Sequence, residues 1–344
     1  MDGASRPYKV LTPDDVSHFM KHGYIVLKEC FSRAASDDWT CDVWTRLGMS
    51  PEDKTTWTRE RTNMPGHRQI SVPSFAPKAW DAICDLVGGE ERVTPESKMW
   101  NDSFIVNLGT PESEGKDIGP KELDGWHVDG DFFVHFLDSP EQGLLVIPLF
   151  TDILPNGGGT WICDEGPARI GKWLYDHPEG VGPRMTPADK PDDTTLSFFN
   201  DTVQECSPDS FYEMTGSIGD VVLLHPLMLH SASKNGSRLA RIITNPPVSL
   251  KEPFNFDRPN NEYSLVEFKT IQDVGGQDKL KGWKITGPRA AVVPERLRIQ
   301  AKWLAEENER LKRQGVEYNG RMQESPHQAA TDLEADGLQR VAVA

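Results

Sequence analysis

Apolar and polar positions divide the chain into a helical first part, a strand-rich middle and a charged helical end. After Thr12-Pro13, Val16, Phe19 and Met20 recur at helical spacing, with threonine placed to cap and proline at the first helical position. His22-Gly23 ends that helix, and "YIVL" reads as a short strand. A tryptophan-rich helical stretch near 36–48 follows, then the loop "SPEDKTTWTRERTNMPGHRQ" and a helix near 77–88 in "APKAWDAICDLVGG".

From about residue 98 the pattern changes. "MWNDSFIVNLG", "FFVHFLD", "GLLVIPLFTDIL", "GTWICDEG", "DVVLLHPLMLHS" and "LARIITNPPVSL" are short β-prone runs punctuated by Gly, Pro, Asn and Asp. Many short strands with few helical patterns between them predict a sandwich or jelly roll, a mainly β fold with flanking helices. A Pro/Gly-rich insertion at about 165–216, carrying at least one short helix, interrupts the strands. The expected organisation is an N-terminal segment, 1–97, packed on a β core, 98–250. A C-terminal extension, 251–322, then carries the amphipathic helix "PERLRIQAKWLAEENERLKRQ", and 323–344 is an unstructured tail.

Composition narrows the function. Ten tryptophans and fourteen phenylalanines among 344 residues give bulk for a sizeable core. No apolar run is long enough to span a membrane. "MDGASRPYKVLTPDD" lacks the apolar stretch of a secretory signal, so a cytoplasmic location is expected. Cys30, Cys41, Cys84, Cys163 and Cys206 show no CxxC spacing, which suits reduced thiols better than a disulfide framework or a zinc site. A formal charge of −16 argues against nucleic acid as a partner.

The chemistry concentrates in "DGWHVDGDFFVH", Asp124 to His135, which holds two histidines and three aspartates with no lysine or arginine. A strand places residues i and i+2 on one face, so His127 and Asp129 point into the same space and can grip a divalent metal. An isolated HxD is more often a charge-paired surface turn. "GDVVLLHPLMLHSAS" shifts that balance by supplying His225 and His230, five residues apart and hence on opposite strand faces. His230, beside small polar residues, suits a ligand; His225, followed by Pro226, suits a structural role. Two histidines and one carboxylate form the facial triad of non-haem Fe(II) oxygenases, with open coordination positions. Arg241, eleven residues past His230, can bind a cosubstrate carboxylate through its planar fork. Asp131 competes with Asp129 as a ligand, and Arg238, placed after the turn "KNGS" and expected to be solvated, competes with Arg241. His135 lies ~25 Å along a regular strand from His127 and reads as packed or lining. Trp126, Phe132 and Phe133 are candidates for shaping a substrate pocket, or simply core.

The order HxD, a long gap, "GDVVLLH", "LHSAS" and then arginine resembles the phytanoyl-CoA dioxygenase family. "LTPDDVSHFMKHGYIVLKECFS" and "ILPNGGGTWICDEG" resemble that family's opening helix–strand and the strand–turn after its HxD, and the likeness covers roughly residues 10–250. It implies a double-stranded β-helix (jelly roll, cupin-like) and an oxygenase dependent on Fe(II) and 2-oxoglutarate. By the same resemblance His127, Asp129 and His230 hold iron, and Arg241 clamps the 2-oxoglutarate carboxylate. The family often has serine two residues past the distal histidine; Ala232 stands there, flanked by Ser231 and Ser233 as candidate cosubstrate contacts. The run "DEGPARIGKW" also departs from the family's turn. Because Asp129 fills the position that is glycine in halogenases of related fold, hydroxylation, desaturation or ring closure is the expected outcome. The acidic balance favours a small organic metabolite of specialised biosynthesis over a CoA thioester. Dioxygen and that small molecule are the expected partners, and a homodimer is compatible. Two other readings stay open: a cupin-like metalloenzyme that does not use 2-oxoglutarate, and a non-catalytic binding protein.

Overall fold

The structure, a computed structural model, describes residues 7–191, 193–294, 296–315 and 341–342. It is a mixture of helices and antiparallel sheets. Helix α1 (Pro13–His22) is held at its start by a reciprocal pair: Thr12 accepts from the Asp15 N–H, and the Asp15 carboxylate accepts from the Thr12 N–H. Such a cap stabilises a helix by about 1 kcal/mol. It delivers the chain into strand β1 (Tyr24–Leu27). The tryptophan-rich stretch forms two short helices, α2 (Arg33–Trp39) and α3 (Val43–Leu47), rather than one. The break falls at Thr40, whose hydroxyl donates back to the Ser36 carbonyl, a local bond that competes with helix continuation.

Strands β2 (Arg61–Asn63) and β3 (Gln69–Ser71) precede helices α4 (Val72–Phe75) and α5 (Pro77–Val87), and β4 (Met99–Asn101) pairs back onto β3. The central strands follow: β5 (Ile105–Asn107), β6 (Leu144–Pro148), β7 (Thr160–Cys163), β8 (Phe211–Met214), β9 (Val221–Leu224), β10 (Leu229–Ala232), β11 (Arg241–Ile243) and β12 (Pro247–Val248). One sheet runs β1-β9-β6-β12, and a bridge between Leu149 and Ile243 joins it to the ribbon β11-β5-β2. A second sheet runs β10-β7-β8, and a bridge between His127 and His230 adds the HxD segment beside β10.

Alternation explains the unbroken apolar runs. Leu145, Ile147, Leu149, Val222 and Leu224 pack in one cluster with Ile162 and Met214 of the second sheet. Leu144, Val146, Val221 and Leu223 face the other way, into a cluster shared with Phe19 of α1 and Ile83 of α5. A strand buried on both faces needs hydrophobic residues at every position. Helix α8 (Leu265–Val274) packs on α1 and α5 behind the first sheet.

Two runs behave differently from their sequence pattern. "FFVHFLD" is β-prone yet forms no strand; Phe133 and His135 make single bridges to Ala291 and Val181, because no continuous neighbour lies alongside. The 165–216 segment contains helices α6 (Gly166–Asp176) and α7 (Ser197–Gln204), but returns to the second sheet as its edge strand β8 before residue 216. After α9 (Gln277–Leu280), the charged helix α10 (Arg296–Arg313) packs against α3. Of the 323–344 tail, only Val341–Ala342 falls among the described residues, paired with Ala290–Ala291. No helix of the described residues is long and apolar enough to cross a membrane.

Candidate metal centre

His127 and His230 are directly opposite one another. Each backbone N–H donates to the other's carbonyl at 3.0 Å, so both side chains leave the same face, with ring centroids 4.3 Å apart. Asp129, two residues on, brings its Oδ1 to 3.5 Å from His127 Nε2 and 3.6 Å from His230 Nε2. One nitrogen or oxygen from each of the three residues lies within 4.8 Å of the others, a set that can hold a metal ion. His230 is nearly closed off at 7% side-chain exposure, Asp129 keeps 19% and His127 32%, so the site opens on the His127 side.

Backbone carbonyls orient both imidazoles. His127 Nδ1–H donates to the Gly125 carbonyl at 2.8 Å, and His230 Nδ1–H donates to the Met228 carbonyl at 3.0 Å. Each ring therefore keeps a proton on Nδ1 and turns Nε2 to the shared point, the orientation of metal-binding histidines. Burial alone would raise the Asp129 carboxyl. The charge of His230 and the imidazole edges of both histidines outweigh this and hold it far below the ordinary carboxylate range. Burial alone would likewise depress His230, and the Asp129 carboxylate more than offsets it, raising the imidazole. Among these side chains the carboxylate stays ionised, so the point they share suits a cation.

The residue after Asp129 must turn the chain sharply. Gly130 has φ +115°, and a Cβ there would fall 2.6 Å from the Phe133 ring and 2.7 Å from the His135 ring. His135 locks the turn: it is buried, stacks on Phe133 and donates from Nε2 to the Gly130 carbonyl at 2.6 Å. It is a packed residue away from the donor set. Asp131 also lies outside the set, paired in a two-pronged ion pair with Arg296 at the start of α10. Trp126 is buried core, donating its indole N–H to the Pro120 carbonyl and meeting Phe211 edge-on, whereas Phe132 and Phe133 contact each other.

His225 and His230 occupy opposite environments. His225 is buried, accepts from the Leu227 N–H and donates from Nε2 to the Thr270 hydroxyl at 2.9 Å. Burial, with Lys269 adding to it, lowers His225 to about 3. Both its nitrogens are already engaged within the protein.

Arg241 lies 1% exposed at the head of β11, on the same strand face as Ile243 of the inter-sheet cluster. Its guanidinium donates to the Gly158 carbonyl at 2.7 Å and to the Ile105 carbonyl at 3.2 Å. Among the described residues no Asp or Glu pairs with it, and its pKa is lowered to about 9, first by burial and then by Arg61. A buried, unneutralised guanidinium is a costly arrangement that an anion relieves. Ser231 and Ser233 are not brought to this interior. Ser231 registers with Trp161, which packs in the outer cluster, whereas His230 registers with the inner Ile162. Ser233 lies beside the Glu213 carboxylate. Ala232 is the residue that shares the His230 face. Arg238, expected to be solvated, is 6% exposed because its guanidinium lies over Trp57, 5.4 Å from the ring centroid.

One neighbour escaped the sequence reading. Asn245 donates from Nδ2 to Asp129 Oδ2 at 3.1 Å. It stands four residues beyond Arg241 and two past the end of β11, and that closeness to Arg241 is the one signal the sequence offers for it.

No family model matches the chain, and no curated protein matches it. Among solved structures it is similar to the non-heme alpha-ketoglutarate dependent carbocyclase SnoK from nogalamycin biosynthesis, at 14% identity over 72% of this chain and 87% of that one, TM-score 0.37. It is also similar to HygX from Streptomyces hygroscopicus with nickel, 2-oxoglutarate and hygromycin B bound, at 13% identity over 72% and 90%, TM-score 0.40. A third is EctD from S. alaskensis with 2-oxoglutarate and 5-hydroxyectoine, at 16% identity over 76% and 86%, TM-score 0.38. Overlaps this loose assign nothing by themselves, and the chemistry below rests on the side chains of the site.

Proposed function

We propose that the chain is a non-haem Fe(II)- and 2-oxoglutarate-dependent dioxygenase that oxidises a C–H bond of a small organic metabolite. The observation that carries this reading is Arg241: a buried cation without a carboxylate partner among the described residues, on a short strand whose continuation meets Asp129 through Asn245. The donor chemistry fits. Two neutral imidazoles and one carboxylate leave positions open on an octahedral ion, which suits iron. The strand order, with His127 beside β10 in one sheet and β9 between β1 and β6 in the other, suits a double-stranded β-helix of the phytanoyl-CoA dioxygenase type.

In this reading His127, Asp129 and His230 hold the metal, and their backbone and Asn245 contacts fix the donor directions beforehand. Arg241 takes the distal carboxylate of 2-oxoglutarate bidentately, neutralising its own charge. Burial of Arg241 beside the inter-sheet apolar cluster keeps bulk water from the distal carboxylate, while the His127 side stays open for substrate. When bound, iron and 2-oxoglutarate with dioxygen supply oxidative decarboxylation to succinate and carbon dioxide, coupled to C–H oxidation.

The reading is tested by succinate release from the Fe(II)-loaded protein in air, assayed across a panel of small metabolites. Release that requires both Fe(II) and 2-oxoglutarate, and disappears in His230→Ala, is the expected result. Turnover of a panel member without 2-oxoglutarate would instead favour a metalloenzyme of another class. A protein that binds Fe(II) yet never consumes 2-oxoglutarate contradicts the proposal.

A further inference from the structure

The two oxygens of Asp129 have different surroundings. Oδ1 faces the two imidazole Nε2 atoms at 3.5 and 3.6 Å, whereas Oδ2 accepts from Asn245 Nδ2 at 3.1 Å. We infer that Asn245 is a positioning residue: it holds Oδ2 away from the metal, so that Asp129 ligates through Oδ1 alone. A carboxylate free to rotate can present both oxygens and occupy two coordination positions. A single hydrogen bond to one oxygen distinguishes them and fixes the carboxylate plane.

The same short segment links this contact to the far end of the site. Arg241 and Ile243 share one face of β11, and Asn245 lies two residues past the strand's end: the arginine is buried beside the Gly158 carbonyl, Ile243 sits in the inter-sheet cluster, and Asn245 meets Asp129. One segment therefore sets both the anion-binding arginine and the direction of the carboxylate ligand. Thr244 precedes Asn245 in the chain; its hydroxyl is buried and has no hydrogen-bond partner among the described residues.

The inference rests on the metal-site reading above, and the experiment separates the two. Calorimetric titration with Co(II), a spectroscopically visible probe, is run on wild type, Asn245→Leu and Thr244→Val, with the Co(II) absorption spectrum and the melting curve of each metal-free protein. Asn245→Leu keeps the branched side-chain shape and removes the donor. It is expected to weaken Co(II) binding about 10- to 100-fold and to change the ligand-field spectrum. Thr244→Val should stay within about twofold of wild type. Equal losses in both variants, or an Asn245→Leu protein with unchanged affinity and spectrum, overturn the positioning role while leaving the metal site standing. A wild-type protein that takes up no Co(II) overturns the metal site itself, and the positioning role with it.

Discussion

Two arginines of this protein are buried almost completely, and their surroundings are opposites. Arg46, on α3, is 0% exposed; it donates from Nε to Glu307 at 2.9 Å and from Nη1 to Asp102 at 3.1 Å. Asp102 in turn accepts from the His67 and Arg68 backbone N–H groups and the Arg68 side chain, and His67 meets the same Glu307 oxygen. Every charge there has a counter-charge, and the cluster ties α10 to the N-terminal segment. Arg241 is as deeply buried, but among the described residues it finds only backbone carbonyls. A closed charge cluster explains itself by what it connects, whereas an open one points to something that must arrive.

The comparison breaks most sharply at Asp102. Asp102→Ala takes the shared buried carboxylate from Arg46 and Arg68, leaving each with a single acidic partner, Glu307 and Asp42, and should cost about 3–5 kcal/mol in a urea unfolding curve. A loss under 1 kcal/mol would mean the cluster contributes little. Arg241→Met should do the reverse: no loss of stability in the ligand-free protein, because an uncompensated buried charge is removed, but a cosubstrate affinity about 100-fold weaker. Equal destabilisation by the two variants would erase the distinction.

The paired histidines sharpen it further. His225 is enclosed and its folded-state pKa is about 3. In the unfolded chain it titrates near ~6.5, so below that pH the unfolded state alone takes up its proton. The stabilising contribution is complete above ~6.5 and shrinks as pH falls toward 3, with a slope approaching ~1.4 kcal/mol per pH unit. His135, lowered by burial to about 4, adds to the same window. Melting temperatures of wild type should fall between pH 6.5 and 5, and His225→Gln should flatten part of that fall; parallel curves would contradict it.

The site was legible in sequence where its geometry is local or where a strand period carries it. His127 and Asp129 meet as alternation expects, and the small polar neighbours of His230 and the Pro226 beside His225 point to the right histidine; the expectation that both lie on one strand fails, because β9 ends at Leu224 and β10 begins at Leu229 in the other sheet. The same alternation places Ser231 with the outer Trp161, so a serine flanking the expected position is no substitute for one standing at it. Asn245 was missed because its partner lies 116 residues away in sequence. Arg46 shows the limit more plainly, since its two acids are 56 and 261 residues distant, and nothing in the order of residues pairs them. The strands of the first sheet were readable as apolar runs because both of their faces are buried. "FFVHFLD" has a similar composition but lacks a continuous neighbour, and composition cannot report a missing partner.

The central claim is that Arg241 and the His127–Asp129–His230 set are two ends of one binding site. Anaerobic calorimetry of 2-oxoglutarate tests it most directly, with metal-free wild type, Fe(II)-loaded wild type and Fe(II)-loaded Arg241→Met compared. Tight binding in the loaded wild type alone, and loss of about 100-fold when either the metal or the guanidinium is removed, is the predicted result. Binding that is indifferent to Arg241, or to the metal, would contradict it.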